Sequence, residues 1–233
     1  MAVVVAAIVM TMRSAVGIAY EVIEVANGGS IQGEVTLGGT PLPPKDVEIT
    51  KDQDVCGKTE KRDESLVVGE NAGLQNVVVS IVDMQKGKSF SAVAPVLDQR
   101  ECRYDPHIVL VPAGVPLRIL NTDGILHSVH TRSEKNPPFN KAQSKFKKEM
   151  LESFAAPEII AVTCDVHPWM RGWIVVQEHP YLTVTDTVGK FHLDLIPPGE
   201  YRLRFWHETL GMLERTVAVS SGVATVVSIR WKQ

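Results

Sequence analysis

The sequence predicts an all-β protein: a β-sandwich followed by a smaller β-sandwich. Three observations point there. Alternating and β-branched runs recur between Gly/Pro breaks along most of the 233 residues, as strands do. No long segment carries a helical apolar period. A seam at Glu178-His179-Pro180 divides the strand-rich chain in two, which suits a length of one or two domains. Apolar residues make up 44% and charged residues 22%, enough for a real core, and this excludes a disordered chain. A net charge of −3 leaves no electrostatic footprint for nucleic acid.

In chain order, residues 1–19 come first. Their apolar core AVVVAAIVM and small residues ending at Ala19 read as a cleaved secretory signal or an N-terminal anchor. The usual leading positive charge is missing, and Arg13 sits behind the apolar run. As a spanning helix the segment is poor, with that arginine in its middle. It is the one long apolar segment, so a polytopic membrane protein is excluded. Residues 20–178 are assigned to the first domain, with a long N-terminal extension. Its strands are expected at 30–37, 76–82, 107–111, 115–120, 159–163 and 173–176. Between them, Phe139, Ala142, Phe146 and Met150 fit a helical stripe, while 146–154 also reads as an exposed strand. A turn or short helix followed by a strand is the expectation. Residues 179–233 form the second domain, with about five short alternating strands.

The chemistry concentrates in Thr163-Cys164-Asp165-Val166-His167-Pro168-Trp169-Met170-Arg171-Gly172. A thiolate, an imidazole and a thioether lie within seven residues on a loop leaving a strand. His127, at the end of Asn121-Thr122-Asp123-Gly124-Ile125-Leu126-His127, adds a second imidazole. Two His, one Cys and one Met are the donor set of a mononuclear copper site, in which soft sulfur favours Cu(I), imidazole tolerates Cu(II) and the weak axial Met tunes the potential. Zinc is the competing metal, but Met is a poor zinc ligand and a structural zinc site usually offers more Cys. His130 lies three residues past His127, on the opposite face of a strand, and reads as a surface or outer-shell residue. Asn121 and Asp123 are placed to brace the loop before His127.

On these residues the chain from about 30 to 178 resembles the cupredoxins. The Cys164, His167, Met170 spacing and the His-Pro-aromatic-Met-Arg-Gly run are similar to the short ligand loop of amicyanin. The resemblance implies a Greek-key sandwich, copper as cofactor, His127, Cys164 and His167 as strong ligands and Met170 as the axial one. It also implies a partner-facing patch around His167, which gives Pro168 and Trp169 a docking role; the alternative is that Trp169 is buried as a plug against the second domain. The region before residue 73 and the second domain depart from amicyanin. Residues 179–233 resemble the transthyretin-like, carboxypeptidase regulatory-like domain, through 186–191, Pro197-Pro198-Gly199-Glu200-Tyr201, Trp206-His207 and Leu210-Gly211. Those are turn and strand signals that specify a fold and no activity, with Trp206 and His207 as packing and turn residues.

Cys56 and Cys102 have polar flanks. In an exported protein they pair with each other and leave Cys164 for the metal. From Arg132 to Glu152 run six bases and three acids, a solvated face that also borders the ligand segments and suits an acidic partner. No hydrolase motif is present. The reading is an exported, periplasmic or extracellular electron carrier. It is not an enzyme, and it has a redox protein partner. Membrane or surface association is open through the N-terminus or the second domain. A surface or assembly binding module, and copper trafficking, are the alternatives.

Overall fold

The computed structural model describes residues 20–40, 43 and 45–232. The signal or anchor assigned to 1–19 lies outside the described residues. Regular structure is almost entirely strand, arranged as two sandwiches, which is the all-β class the sequence predicts. None of the described helices is long and apolar enough to cross a membrane.

The sandwich that carries the candidate ligands runs from Val96 to Gln177. One sheet orders Asn140–Gln143, His127–Arg132, Glu158–Thr163, Arg171–Gln177 and Ile108–Pro112. The facing sheet orders Glu149–Glu152, Leu117–Asn121, Val96–Arg100 and Arg103–Asp105. Each sheet contains one parallel pair, Arg171–Gln177 with Ile108–Pro112 and Val96–Arg100 with Leu117–Asn121. Parallel neighbours need a crossover. Ile108–Pro112 and Leu117–Asn121, consecutive in sequence, therefore lie in opposite sheets. Alternate residues of these strands fill the core: Leu97, Val109, Val111, Leu117, Ile119, Val129, Ile160, Val162 and Ile174. The ambiguous stretch forms strands at Asn140–Gln143 and Glu149–Glu152, joined by a turn that leaves Phe146 84% exposed. The helical stripe fails because its residues pair across the ladder, with Ala142 opposite Ser128 and Met150 opposite Ile119.

The second sandwich divides the chain differently from the sequence reading, which drew one boundary after residue 178. Gly29–Leu37 is the central strand between Lys190–Ile196 and Ala224–Trp231. Val78–Ile81 lies between Leu182–Val184 and Gly199–His207, with Gly211–Val219 beyond. Two strands of this sandwich thus precede the ligand-bearing sandwich, which is inserted between them and the rest. Alternation revealed that Gly29–Leu37 buries one face; it did not reveal which sheet receives it. Ile31, Val35 and Leu37 pack with Leu193, Leu203, Phe205 and Ile229. At Gly33 an added Cβ would collide with the Val227 carbonyl, so glycine is required there by the close approach of the neighbouring strand.

The sandwiches meet along Val78, Ile108 and Val175. Trp173 and Trp206 pack edge to face at 4.9 Å, and His107 Nε2 pairs with Glu208 at 2.5 Å. His207 is buried, and its Nδ1 accepts the Thr209 and Leu210 amides. Burial lowers its pKa to about 4, so it is a neutral turn residue.

Candidate metal centre

The centre lies at one end of the inserted sandwich. His127 begins the strand His127–Arg132, and Cys164 follows the end of Glu158–Thr163. The loop 164–170 is closed on itself: Cys164 N–H donates to Met170 O at 3.2 Å, and Met170 N–H donates to His167 O at 2.9 Å. This tight return places His167 back over Cys164. His127, Cys164 and His167 are all buried, and one donor atom from each lies within 4.8 Å of the others. Met170 is buried in the same apolar cluster as Cys164.

The arrangement is explained by what each ring nitrogen faces. His127 Nε2 meets Asp123 Oδ2 at 2.9 Å, and His167 Nε2 meets Asp52 Oδ2 at 2.9 Å. An ionised carboxylate only accepts, so both Nε2 atoms carry hydrogen. Both Nδ1 lone pairs then point inward, 2.9 Å apart, with Cys164 Sγ 3.8 Å from His167 Nδ1. Two lone pairs cannot face each other at that distance in a buried site without a cation, either a shared proton or a metal. The residues present therefore fit a soft metal ion held by two imidazoles and a thiolate.

Electrostatics agrees with the geometry. Burial penalises the Cys164 thiolate, but the His127 and His167 rings, sharing the inward proton of the metal-free site, and the Ser128 amide outweigh it and hold the pKa down to about 5. Burial also opposes charge on His127, yet its bonds to Asp123 and Cys164 raise its pKa overall. Asp123 is lowered against its own burial by His127 and by the Cys102 and Glu101 amides. A thiol in this setting is a ready ligand at neutral pH.

Around the donors lies a buried amide network. Asn121 Nδ2 donates to Ile125 O at 2.8 Å and to Gln143 O at 3.0 Å, which fixes the 122–126 loop and joins the two sheets. Gln99 Nε2 donates to Gln143 Oε1 at 2.6 Å, and Gln143 Nε2 donates to Ile119 O. Gly124, at φ 71°, supplies the left-handed residue that the loop needs.

Asn121 and Asp123 brace the loop, as the sequence suggests. His130 is a partly exposed residue paired with Asp165 at 2.9 Å, away from the donors. Cys56 and Cys102 form a disulfide, and Cys164 is the free cysteine. Cys102, Asp123 and His127 also cluster, but the Cys102 sulfur is already bonded and offers no thiolate. One expectation is corrected. His167 does not present a ring edge to solvent: it is fully buried, walled by Trp169 at 5.1 Å and by Asp52. Trp169 is half-buried and donates to Cys102 O at 3.2 Å, so it packs against the disulfide turn, while Pro168 beside it is exposed. Asp52 and the Gln99/Gln143 pair escaped the sequence reading. The signal available for Asp52 was its place four residues before a cysteine whose disulfide partner lies near Asp123 only in three dimensions.

Comparison with solved structures finds partial likenesses. A copper-containing nitrite reductase from Thermus scotoductus aligns over 39% of this chain at 19% identity and a TM-score of 0.34. The match spans 24% of that reductase chain. Amicyanin from Paracoccus versutus aligns over 38% of this chain and 86% of its own, at 22% identity and a TM-score of 0.33. A purple cupredoxin from Nitrosopumilus maritimus aligns over 36% of this chain and 99% of its own, at 17% identity and a TM-score of 0.31. No family model and no curated protein matches the sequence.

Proposed function

We propose that the chain is an electron-transfer protein that would hold one copper ion through His127, Cys164 and His167, with Met170 as a weak fourth donor. The observation that carries this reading is the convergence of two inward Nδ1 lone pairs and a low-pKa thiolate on one buried point. When bound, copper supplies a one-electron Cu(I)/Cu(II) couple. The chain's own residues do the rest. The Cys164–Met170 and Met170–His167 backbone bonds hold the loop in one shape. The amide network of Asn121, Gln99 and Gln143 ties both sheets to it. Donors held this rigidly move little between oxidation states, which suits electron transfer more than trafficking. All three donors are buried, which suits a carrier more than an enzyme.

The Cys56–Cys102 disulfide fits an oxidising, exported location. Leu126, beside His127, is exposed, as is Phe146, flanked by Lys145, Lys147 and Lys148. The Asn121 amide donates to Lys148 O at 3.0 Å, so this turn borders the ligand loop. An acidic redox protein is the partner that such a basic, apolar surface suits.

The test is titration of copper(II) into metal-free protein. One equivalent is expected to produce an intense visible thiolate-to-copper band, and Cys164→Ser is expected to abolish it with the fold intact. A band that survives in Cys164→Ser, or a site that takes zinc and rejects copper, overturns the reading.

A further inference from the structure

We propose that the segment 52–56 is a built-in cover of the metal centre, with Asp52 as a positioning residue for His167 and the Cys56–Cys102 disulfide as its tether. The proposal rests on the copper reading above and extends it to the regulation of the same site.

Asp52 reaches His167 from 115 positions away in sequence. It occupies the cap position of the short helix Gln53–Cys56, and its carbonyl accepts the Val55 and Cys56 amides. An aspartate at that position ordinarily uses its carboxylate to accept a helix amide. Here the side chain makes no capping bond; the carboxylate is turned instead onto His167 Nε2 at 2.9 Å. The backbone at Asp52 is left-handed, φ 50° and ψ 42°, a conformation that is costly for a non-glycine residue.

The other end of the tether shows the same pattern. Glu101 and Cys102 form the two-residue loop between Val96–Arg100 and Arg103–Asp105, with Arg100 opposite Arg103. Both have positive φ, 54° and 52°, as a type I′ turn requires, although Asn-Gly is the usual sequence there. Consecutive amides in such a turn form an anion-binding concavity. They donate to the two oxygens of Asp123, at 2.6 and 2.8 Å, and Asp123 holds His127. One covalent bond, Cys56–Cys102, therefore joins the carboxylate arm of His167 to that of His127. Three residues with left-handed backbone, Asp52 at one end of the tether and Glu101 and Cys102 at the other, hold this arrangement.

The cover does three things. With Asp123 at the far end of the tether, it fixes both imidazoles in the tautomer that aims Nδ1 inward. It places two negative charges behind the ligands, which favours Cu(II) over Cu(I). And it seals the His167 edge, so small reagents and partners cannot reach the metal there.

The experiment compares wild type, Asp52→Asn and Asp52→Glu, with copper(II) sulfate as the probe. Asp52→Asn is expected to keep the fold, bind copper(II) roughly 10–100-fold more weakly, shift the reduction potential upward and speed electron exchange with a small redox dye. Asp52→Glu is expected to recover most of the wild-type potential. In metal-free protein, the ring-nitrogen chemical shifts of His167 are expected to move from one tautomer toward a mixture in Asp52→Asn. If wild type shows the visible band and Asp52→Asn leaves potential and affinity unchanged, the cover is overturned while the copper reading stands. If wild type shows no band, the copper reading fails. The His167 nitrogen shifts then decide the cover, and an unchanged spectrum in Asp52→Asn overturns it.

Discussion

Cys164 is a buried residue that is charged at neutral pH in the metal-free protein, because its hydrogen bonds outweigh its desolvation. Its folded pKa is depressed, from 9.0 to about 5. The stability it contributes is therefore full above pH 9.0, the unfolded value, and is lost as pH falls through about 5. His127 has the opposite sign. Its raised pKa contributes stability below 6.5 that is lost as pH rises through the folded value. In metal-free protein the melting-temperature difference between wild type and Cys164→Ser is expected to widen from pH 5 toward pH 9. Ultraviolet thiolate absorbance is expected to titrate near 5; a midpoint above 8 contradicts the hydrogen-bond argument. Asn121 is the second residue with a sharp expectation. Asn121→Ala leaves the Ile125 and Gln143 carbonyls without their donor, at a cost of about 1–3 kcal/mol for each buried group that stays unpaired. Denaturant unfolding measures the loss, and faster alkylation of Cys164 reports the loosened loop.

At the scale of elements, the Glu101–Cys102 turn illustrates a local rule broken for a distant gain. Glu101→Asn replaces a residue that resists the left-handed region with one that tolerates it. The expected gain is about 1 kcal/mol, read as a higher melting temperature with the Asp123 contacts intact. Replacing both Cys56 and Cys102 by Ser is expected to cost about 2–5 kcal/mol. The strands themselves were largely legible. Gly29–Leu37, Ile108–Pro112, Glu158–Thr163 and Arg171–Gln177 match the β-branched runs to within a few residues, because each buries a continuous or alternating apolar face. Val96–Arg100, Arg103–Asp105 and Asn140–Gln143 were missed. They are polar and short, and they become strands because neighbours supply their ladders: Val96–Arg100 pairs with Leu117–Asn121, and Asn140–Gln143 with His127–Arg132.

For the whole molecule, the interlocked chain makes a definite expectation. Truncation after residue 178 removes Lys190–Ile196, Gly199–His207 and Ala224–Trp231, the partners of Gly29–Leu37 and Val78–Ile81. The orphaned strands would expose Ile31, Val35, Val79 and Ile81, all now buried. Such a fragment is expected to aggregate or bind a hydrophobic dye, since unpaired apolar strands template association. A monomeric fragment with 29–37 still protected from proteolysis would show that the second sandwich is dispensable. Phe205→Ala, at the centre of that core, is expected to cost about 3–5 kcal/mol and to leave the copper spectrum unchanged, because the donors belong to the other sandwich.

The sequence by itself determined the all-β class, most strands and the candidate donor residues, because strand periodicity and ligand chemistry are local properties of residues. His127, Cys164, His167 and Met170 were nameable for that reason, and so was the Cys56–Cys102 pair. Tertiary structure alone decided which sheet each strand joined, since hydrogen-bond ladders are long-range and any half-buried strand carries the same alternation. It also decided that Asp52 meets His167 and that the His167 ring is buried where an exposed edge was expected. That contact joins residues 115 positions apart, and no spacing along the chain encodes it.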